Sequence, residues 1–301
     1  PDHKSYYVSV AHGTPFGALW RLDARTHEVI GVAPAEQYPT TIAITPDGEF
    51  AFVANSDFFG DRPRVNPVTI VHTPTMATIV QLPACDMPHG VKANRAGSTV
   101  YVSCMHSDEL LALDVASLAI TQRWRLGSGH ADASHGAHAD HAMPAGAPTA
   151  GGPNLGKACA ATFVALSPDD RRAYVACNAS GTLQVWDVRE GRLVGHVATG
   201  AGAYNVEPSP DGRLVIVTNK KDRSISVIEA ATLKVLARIA TTKPVVHGVA
   251  YAPDGRYAYV TQESVGADPG AVDVIDLSTL RVVASVPLPA QPTGITILRT
   301  D

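Results

Sequence analysis

The sequence predicts an all-β fold, a six-bladed β-propeller of four-stranded antiparallel blades, and three observations carry that expectation. One unit recurs six times along the 301 residues: an apolar run, a Pro-Asp-Gly-like turn, a second apolar run, a third run ending in an acid, then another turn. Its clearest copies are TTIAITPDGEFAFVAN (40–55), YNVEPSPDGRLVIVTN (204–219) and HGVAYAPDGRYAYVTQ (247–262). The chain also opens inside a second run (YYVSV) and stops after a first run (TGITIL). Thr293–Arg299 is therefore expected to complete the first blade, which closes the ring and removes two free edges.

Each unit resolves into four short runs rich in Val, Ile, Leu, Tyr and Ala, the composition of strands. First strands begin near Thr40, His89, Thr162, Tyr204, His247 and Thr293. Second strands end at Val10, Asn55, Cys104, Cys177, Asn219 and Gln262. Third strands end in an acid at Asp23, Asp114, Asp187, Glu229 and Asp276, where a carboxylate can accept backbone N–H groups of the following turn. One copy departs, with His72 in the acid's place. Consecutive four-stranded units of this kind are the mark of a propeller. The repeat runs from end to end without a linker, so residues 1–301 read as a single domain with an insertion at about 128–158.

Composition narrows the function. Apolar residues make up 45% of the chain and charged residues 17%, with a net charge of −4. The sequence pI is near 6.3 and mean hydropathy is close to zero. No Lys/Arg patch stands ready for a phosphate backbone, so no nucleic-acid partner is expected. No apolar run approaches the roughly 18 residues of a membrane helix, so no membrane span is expected.

The four cysteines fall in repeat-related places. Cys104 and Cys177 share the slot that holds Asn55 and Asn219 elsewhere, and Cys85 and Cys159 each precede the first strand of the same two repeats. Cys85–Cys104 and Cys159–Cys177 are the expected bridges, each across the top of a hairpin, which implies an oxidising, periplasmic or secreted setting. A free Cys104 acting as a thiolate beside Met105 and His106 is the alternative. No secretory leader is read in the first residues, so a processed or trimmed chain is expected.

The endings YVSC, YVAC, IVTN and YVTQ, with their preceding PDG turns, resemble the YVTN family of propeller repeats. That resemblance implies an extracytoplasmic protein, and it extends to the propellers of haem-d nitrite reductases and nitrous oxide reductase. Such repeats host electron transfer, metal chemistry and plain binding alike, so function must come from residues that depart from the repeat.

Those departures gather on one rim. Loops between strands four and one share a face, the top face, with loops between strands two and three. His89 and His247 both begin first strands, three blades apart. His12 and His106 both lie two residues past a second-strand ending, with Met87 and Met105 close by. Imidazole suits copper, zinc, iron and nickel, and nearby thioether sulfur favours copper. The expectation is therefore a metal site, copper first and zinc or another transition metal second, at the channel mouth. The segment 128–152 adds His130, His135, His138 and His141 in a Gly/Ala/Pro-rich stretch that cannot pack a core. Metal capture, a lid over the channel, and no role at all are the three readings open to it.

Other motifs carry less. There is no GxSxG nucleophile elbow, and GGPNLGK (151–157) lacks the Ser/Thr that a phosphate loop needs after its lysine. Trp20, Trp124 and Trp186 read as packing residues, and His72 and His196 as solvated ones. Three functions compete: a copper-binding propeller in redox catalysis, as a copper-dependent oxidoreductase, or in metal handling; a non-catalytic propeller binding a protein or small molecule on its top face; and a haem-d-type cofactor binder.

Overall fold

The computed structural model describes residues 3–11, 16–58, 65–126 and 159–297. The first blade holds β1 (Ser5–Val10), β2 (Ala18–Asp23) and β3 (Val29–Pro34). The second is β4 (Pro39–Ile44), β5 (Phe50–Asn55), β6 (Asn66–His72) and β7 (Ala77–Cys85), and the third β8 (Pro88–Ala93), β9 (Thr99–Cys104), β10 (Glu109–Asp114) and β11 (Ala119–Arg125). The fourth is β12 (Ala161–Leu166), β13 (Arg172–Cys177), β14 (Thr182–Asp187) and β15 (Arg192–Ala198). The fifth is β16 (Ala203–Pro208), β17 (Leu214–Asn219), β18 (Ser224–Glu229) and β19 (Val235–Ala240). The sixth is β20 (Val246–Tyr251), β21 (Tyr257–Gln262), β22 (Gly270–Asp276) and β23 (Arg281–Leu288). Strands pair antiparallel in chain order within each sheet, so the six blades of the predicted propeller are present.

The repeated turns work as the residues require. In the turn joining the first two strands, Asp47, Asp169 and Asp211 each accept a hydroxyl from two residues back and an amide from two residues ahead. Gly48, Gly97, Gly212 and Gly255 follow at φ between 69° and 77°, the left-handed region that glycine enters without a Cβ clash. The fourth blade has Asp170 at this place, at φ 55°. At the end of the third strands, Asp23, Asp114, Asp187 and Asp276 accept amides of the next turn. Hydrogen bonds to these carboxylates, led by the Ser117 and Ser278 hydroxyls at Asp114 and Asp276 and by turn amides at Asp23 and Asp187, favour the ionised form and lower its pKa in each case. His72 replaces the acid by bonding Thr75 Oγ1 through Nδ1 at 2.7 Å.

Cores lie between blades. Phe52 and Ile70 of the second blade pack with Val102 and Leu111 of the third, and the same arrangement joins third to fourth, fourth to fifth and fifth to sixth. Leu19 and Ala33 join the first blade to the second. Phe52 is fully buried. Its replacement by alanine should cost about 3–5 kcal/mol through lost burial and the cavity left behind. The denaturant midpoint should fall accordingly, and a cost below about 1 kcal/mol would contradict this packing.

A hydroxyl seam stitches each blade to the next. Ser9, Ser103, Thr218 and Thr261, each the penultimate residue of a second strand, donate to the carbonyls of Thr40, Thr162, His247 and Thr293. Where that slot is Ala54 or Ala176, the hydroxyl comes from the first strand instead. Thr40 and Thr41 donate to His89 O, and Thr162 donates to Tyr204 O at 2.6 Å. The six acceptors define one ring around the channel.

Thr293 supplies the sixth position, so the C-terminal segment stands where the innermost strand of the first blade was expected. The pairing itself differs from the expectation. Among the described residues the first sheet has three strands, and residues 291–297 form no ladder with β1. Pro39 and Pro88, the counterparts of Pro292, open β4 and β8 and pair with Asn55 and Cys104, so the proline before Thr293 is not what prevents a ladder. Consistent with the missing cover, Val8 in the middle of β1 is 40% exposed, whereas Val53, Val102, Val175 and Val217 of other second strands are fully buried. Arg299 lies outside the described residues.

Both expected disulfides form, Cys85–Cys104 and Cys159–Cys177, and no free cysteine remains. Among the described residues no helix is long and apolar enough to cross a membrane.

Candidate functional site at the channel mouth

The ring of first-strand residues Thr40, His89, Thr162, Tyr204, His247 and Thr293 carries three aromatic side chains that meet. Tyr204 stands between the two histidines, its ring 5.5 Å from His89 and 4.6 Å from His247. Phe163, one residue further along β12, contacts all three, at 5.3 Å from His89, 5.4 Å from Tyr204 and 6.3 Å from His247.

Hydrogen bonds assign the protons on His89. Its Nδ1 lies 2.9 Å from the carbonyl oxygen of Thr162, which only accepts, so Nδ1 carries the hydrogen. Nε2 is then the acceptor for the Tyr204 hydroxyl at 3.2 Å. Burial holds this imidazole neutral, with its pKa lowered to about 4; the Thr162 carbonyl opposes that shift and the Lys220 charge adds to it. The Tyr204 hydroxyl is pushed up by burial and by the Glu263 carboxylate, and stays protonated.

His247 occupies the same slot with a different balance. Its Nε2 lies 3.4 Å from Glu263 Oε1. Its Nδ1 is buried without a hydrogen-bond partner. The Thr293 carbonyl, counterpart of Thr162, raises the pKa slightly without completing that bond, while burial, Lys220 and His89 lower it well below the usual histidine range. A neutral imidazole has one N–H, so His247 can serve the carboxylate or the carbonyl but not both.

Lys220 and Glu263 close the group. Each is the first residue after a second strand, so they are repeat equivalents from adjacent blades, and Lys220 Nζ meets Glu263 Oε1 at 2.9 Å. The same ammonium lies 4.3 Å from the centre of the Tyr204 ring, a cation–π placement. Lower in the channel, Lys92 of β8 pairs with Glu207 of β16 at 3.2 Å.

The structure thus brings His89 and His247 together through Tyr204, which contacts both rings. His106 pairs instead with Asp86, Nδ1 to Oδ1 at 3.3 Å. Met87 and Met105 pack with Ala160 in a small buried apolar cluster. His12, His130, His135, His138 and His141 lie outside the described residues. Among the described residues no group of three or more His, Cys, Asp or Glu is poised for a metal ion, so copper and zinc find no support there. The disulfide of Cys104 removes it as a thiolate ligand.

Phe163, Tyr204, Lys220 and Glu263 are the residues of this candidate site that histidine counting misses. The signal was in the repeat: Tyr204 fills the slot of His89 and His247, and Lys220 and Glu263 share another. A slot-by-slot comparison finds all but Phe163.

Residues 159–248, and in a second overlapping placement 217–298, match the family described as the Cytochrome D1 heme domain. The last three blades are similar to that haem domain. The matched span includes Phe163, Tyr204, Lys220, His247 and Glu263, and leaves out His89. In three dimensions the chain is similar to Kuenenia stuttgartiensis hydrazine synthase, with a TM-score of 0.73 and 19% identity over 97% of this chain and 85% of the other. At that identity the likeness shows a shared propeller fold.

Proposed function

We propose that this protein is an extracytoplasmic propeller that holds a haem-type cofactor at its top-face channel mouth, with His247 as the imidazole donor. One observation carries the reading. His247 is a buried, neutral imidazole whose hydrogen-bonding capacity is not satisfied by its neighbours, within the span that resembles a haem domain. The donor set fits such a group. Neutral imidazole is the ligating form, and Phe163 and Tyr204 supply an apolar wall that excludes water.

When bound, the cofactor would supply redox chemistry at its iron, which the protein tunes through its surroundings. The chain's own residues divide the remaining work. Thr162 fixes the tautomer of His89. Tyr204 and His89 hold one proton between phenol oxygen and Nε2. Lys220 neutralises Glu263 and keeps the phenol ring in place. The two disulfides fit an oxidising compartment and support a periplasmic or secreted location.

The chain should be produced in a haem-supplied, oxidising compartment, purified without a His tag, and assayed for extractable tetrapyrrole and for metals. About one tetrapyrrole per chain is expected. Tightly held copper without tetrapyrrole would overturn the proposal and restore the copper-site expectation. Neither group, after loading with each, would leave a non-catalytic interaction propeller.

A further inference from the structure

A second site lies on the top face between the fourth and fifth blades, apart from the aromatic cluster. There a cleft of about 380 Å³ opens among the β13–β14 turn, the β15–β16 loop and the β17–β18 turn. Its lining includes Gly181, Gly200 and Gly202 together with the charged Lys221, Asp222 and Arg238. Gly181 and Gly202 have φ of 65° and 72°, a backbone that a larger residue would strain. A Cβ on Gly200 would stand 2.7 Å from Cγ of the fully buried Asn219, so glycine here lets the loop pack against that side chain.

The charges in this cleft do not cancel. Lys221 makes no ion pair among the described residues, unlike its neighbour Lys220, which is engaged by Glu263. Arg238 Nη1 reaches Asp222 Oδ2 only at 3.9 Å, too far for a strong hydrogen bond. Two cations thus face one carboxylate. Ser180, whose hydroxyl meets Thr182 Oγ1 at 2.8 Å, and Asn178, whose Nδ2 donates to Ala203 O at 3.2 Å, bring their remaining hydrogen-bonding capacity to the lining, which contains no aromatic side chain.

We propose that this cleft binds a small hydroxylated monocarboxylate of sugar-acid size. The two cations take the carboxylate in charge-assisted hydrogen bonds, and the Ser180 and Asn178 groups meet its hydroxyls. The proposal rests on different residues from the channel-mouth reading and stands or falls separately.

D-glucuronate serves as the probe, with D-glucose as the uncharged analogue and inorganic phosphate as the bare anion. Each is titrated into the ¹⁵N-labelled full chain while amide shifts are followed. Glucuronate should shift the amides of Gly181, Gly200 and Gly202 saturably, and glucose at equal concentration should not. Lys221→Ala and Arg238→Ala should each weaken binding by roughly tenfold or more, the loss expected for one charge-assisted bond. Asp222→Asn should tighten it, a direction that a merely structural role would not produce. Hemin binding should be unchanged in Lys221→Ala. Absence of saturable shifts with glucuronate, equal response to glucose, or a response to phosphate alone would each overturn the proposal.

Discussion

Replacing Cys85, Cys104, Cys159 and Cys177 together by alanine should lower the unfolding free energy by about 6 kcal/mol. The bridges span 19 and 18 residues. Chain-entropy estimates for loops of that length give about 3 kcal/mol each. The loops are neither nested nor overlapping, so their constraints on the unfolded chain add. Cys104, Cys159 and Cys177 are also fully buried, and the packing lost on truncation acts in the same direction. Against a typical total of about 5–15 kcal/mol, the variant should sit near or below the folding threshold. Urea unfolding of the variant and parent provides the comparison. A loss under about 2 kcal/mol would show that the bridges do not carry this stabilisation.

The second large effect is an acid-induced loss of stability that precedes carboxylate protonation. His89 is neutral in the folded protein, with a pKa of about 4 against 6.5 in the unfolded chain. Its folded pKa is depressed, so above pH 6.5 neither state binds the proton and nothing is lost. Between pH 6.5 and 4 the unfolded chain takes the proton and the folded one does not, so stability falls with pH. The full span corresponds to about 3 kcal/mol. His247, also held well below the usual range by burial, adds in the same direction. The turn aspartates behave differently: their lowered pKa values preserve stability until pH falls below about 3.8, through about 2 for Asp211. Unfolding free energies measured at pH 7, 5.5 and 4.5 should therefore decline in the parent. His89→Gln keeps one donor and one acceptor but cannot titrate, and should flatten the decline. An equal slope in both proteins would assign the effect elsewhere.

How much of this was legible in the sequence follows from the repeat. Pro-Asp-Gly turns, acids closing the third strand and cysteines in equivalent slots each act locally, and each does in the structure what its residue type implies. The inner-strand slot was also visible, and it placed His89 and His247 on one ring. What escaped was the nature of their meeting. Repeat spacing gives the blade on which a residue sits, not the distance across a channel, and it did not show that Tyr204 stands between the histidines. Nor does it reveal that His106 turns to Asp86, because that pairing depends on a residue from the preceding loop rather than on the slot. Ring closure was foreseen in position through Thr293. Its expected ladder with β1 is absent among the described residues.

A hemin titration tests most directly whether His247 provides the imidazole for a haem-type cofactor. The parent, His247→Ala and the remote His72→Ala variant are each titrated with hemin at pH 7 while the Soret band is recorded. A saturable, red-shifted band at one equivalent is expected in the parent and in His72→Ala, and loss of that band in His247→Ala with the fold intact. The same saturable band in His247→Ala, or none in the parent, would contradict it.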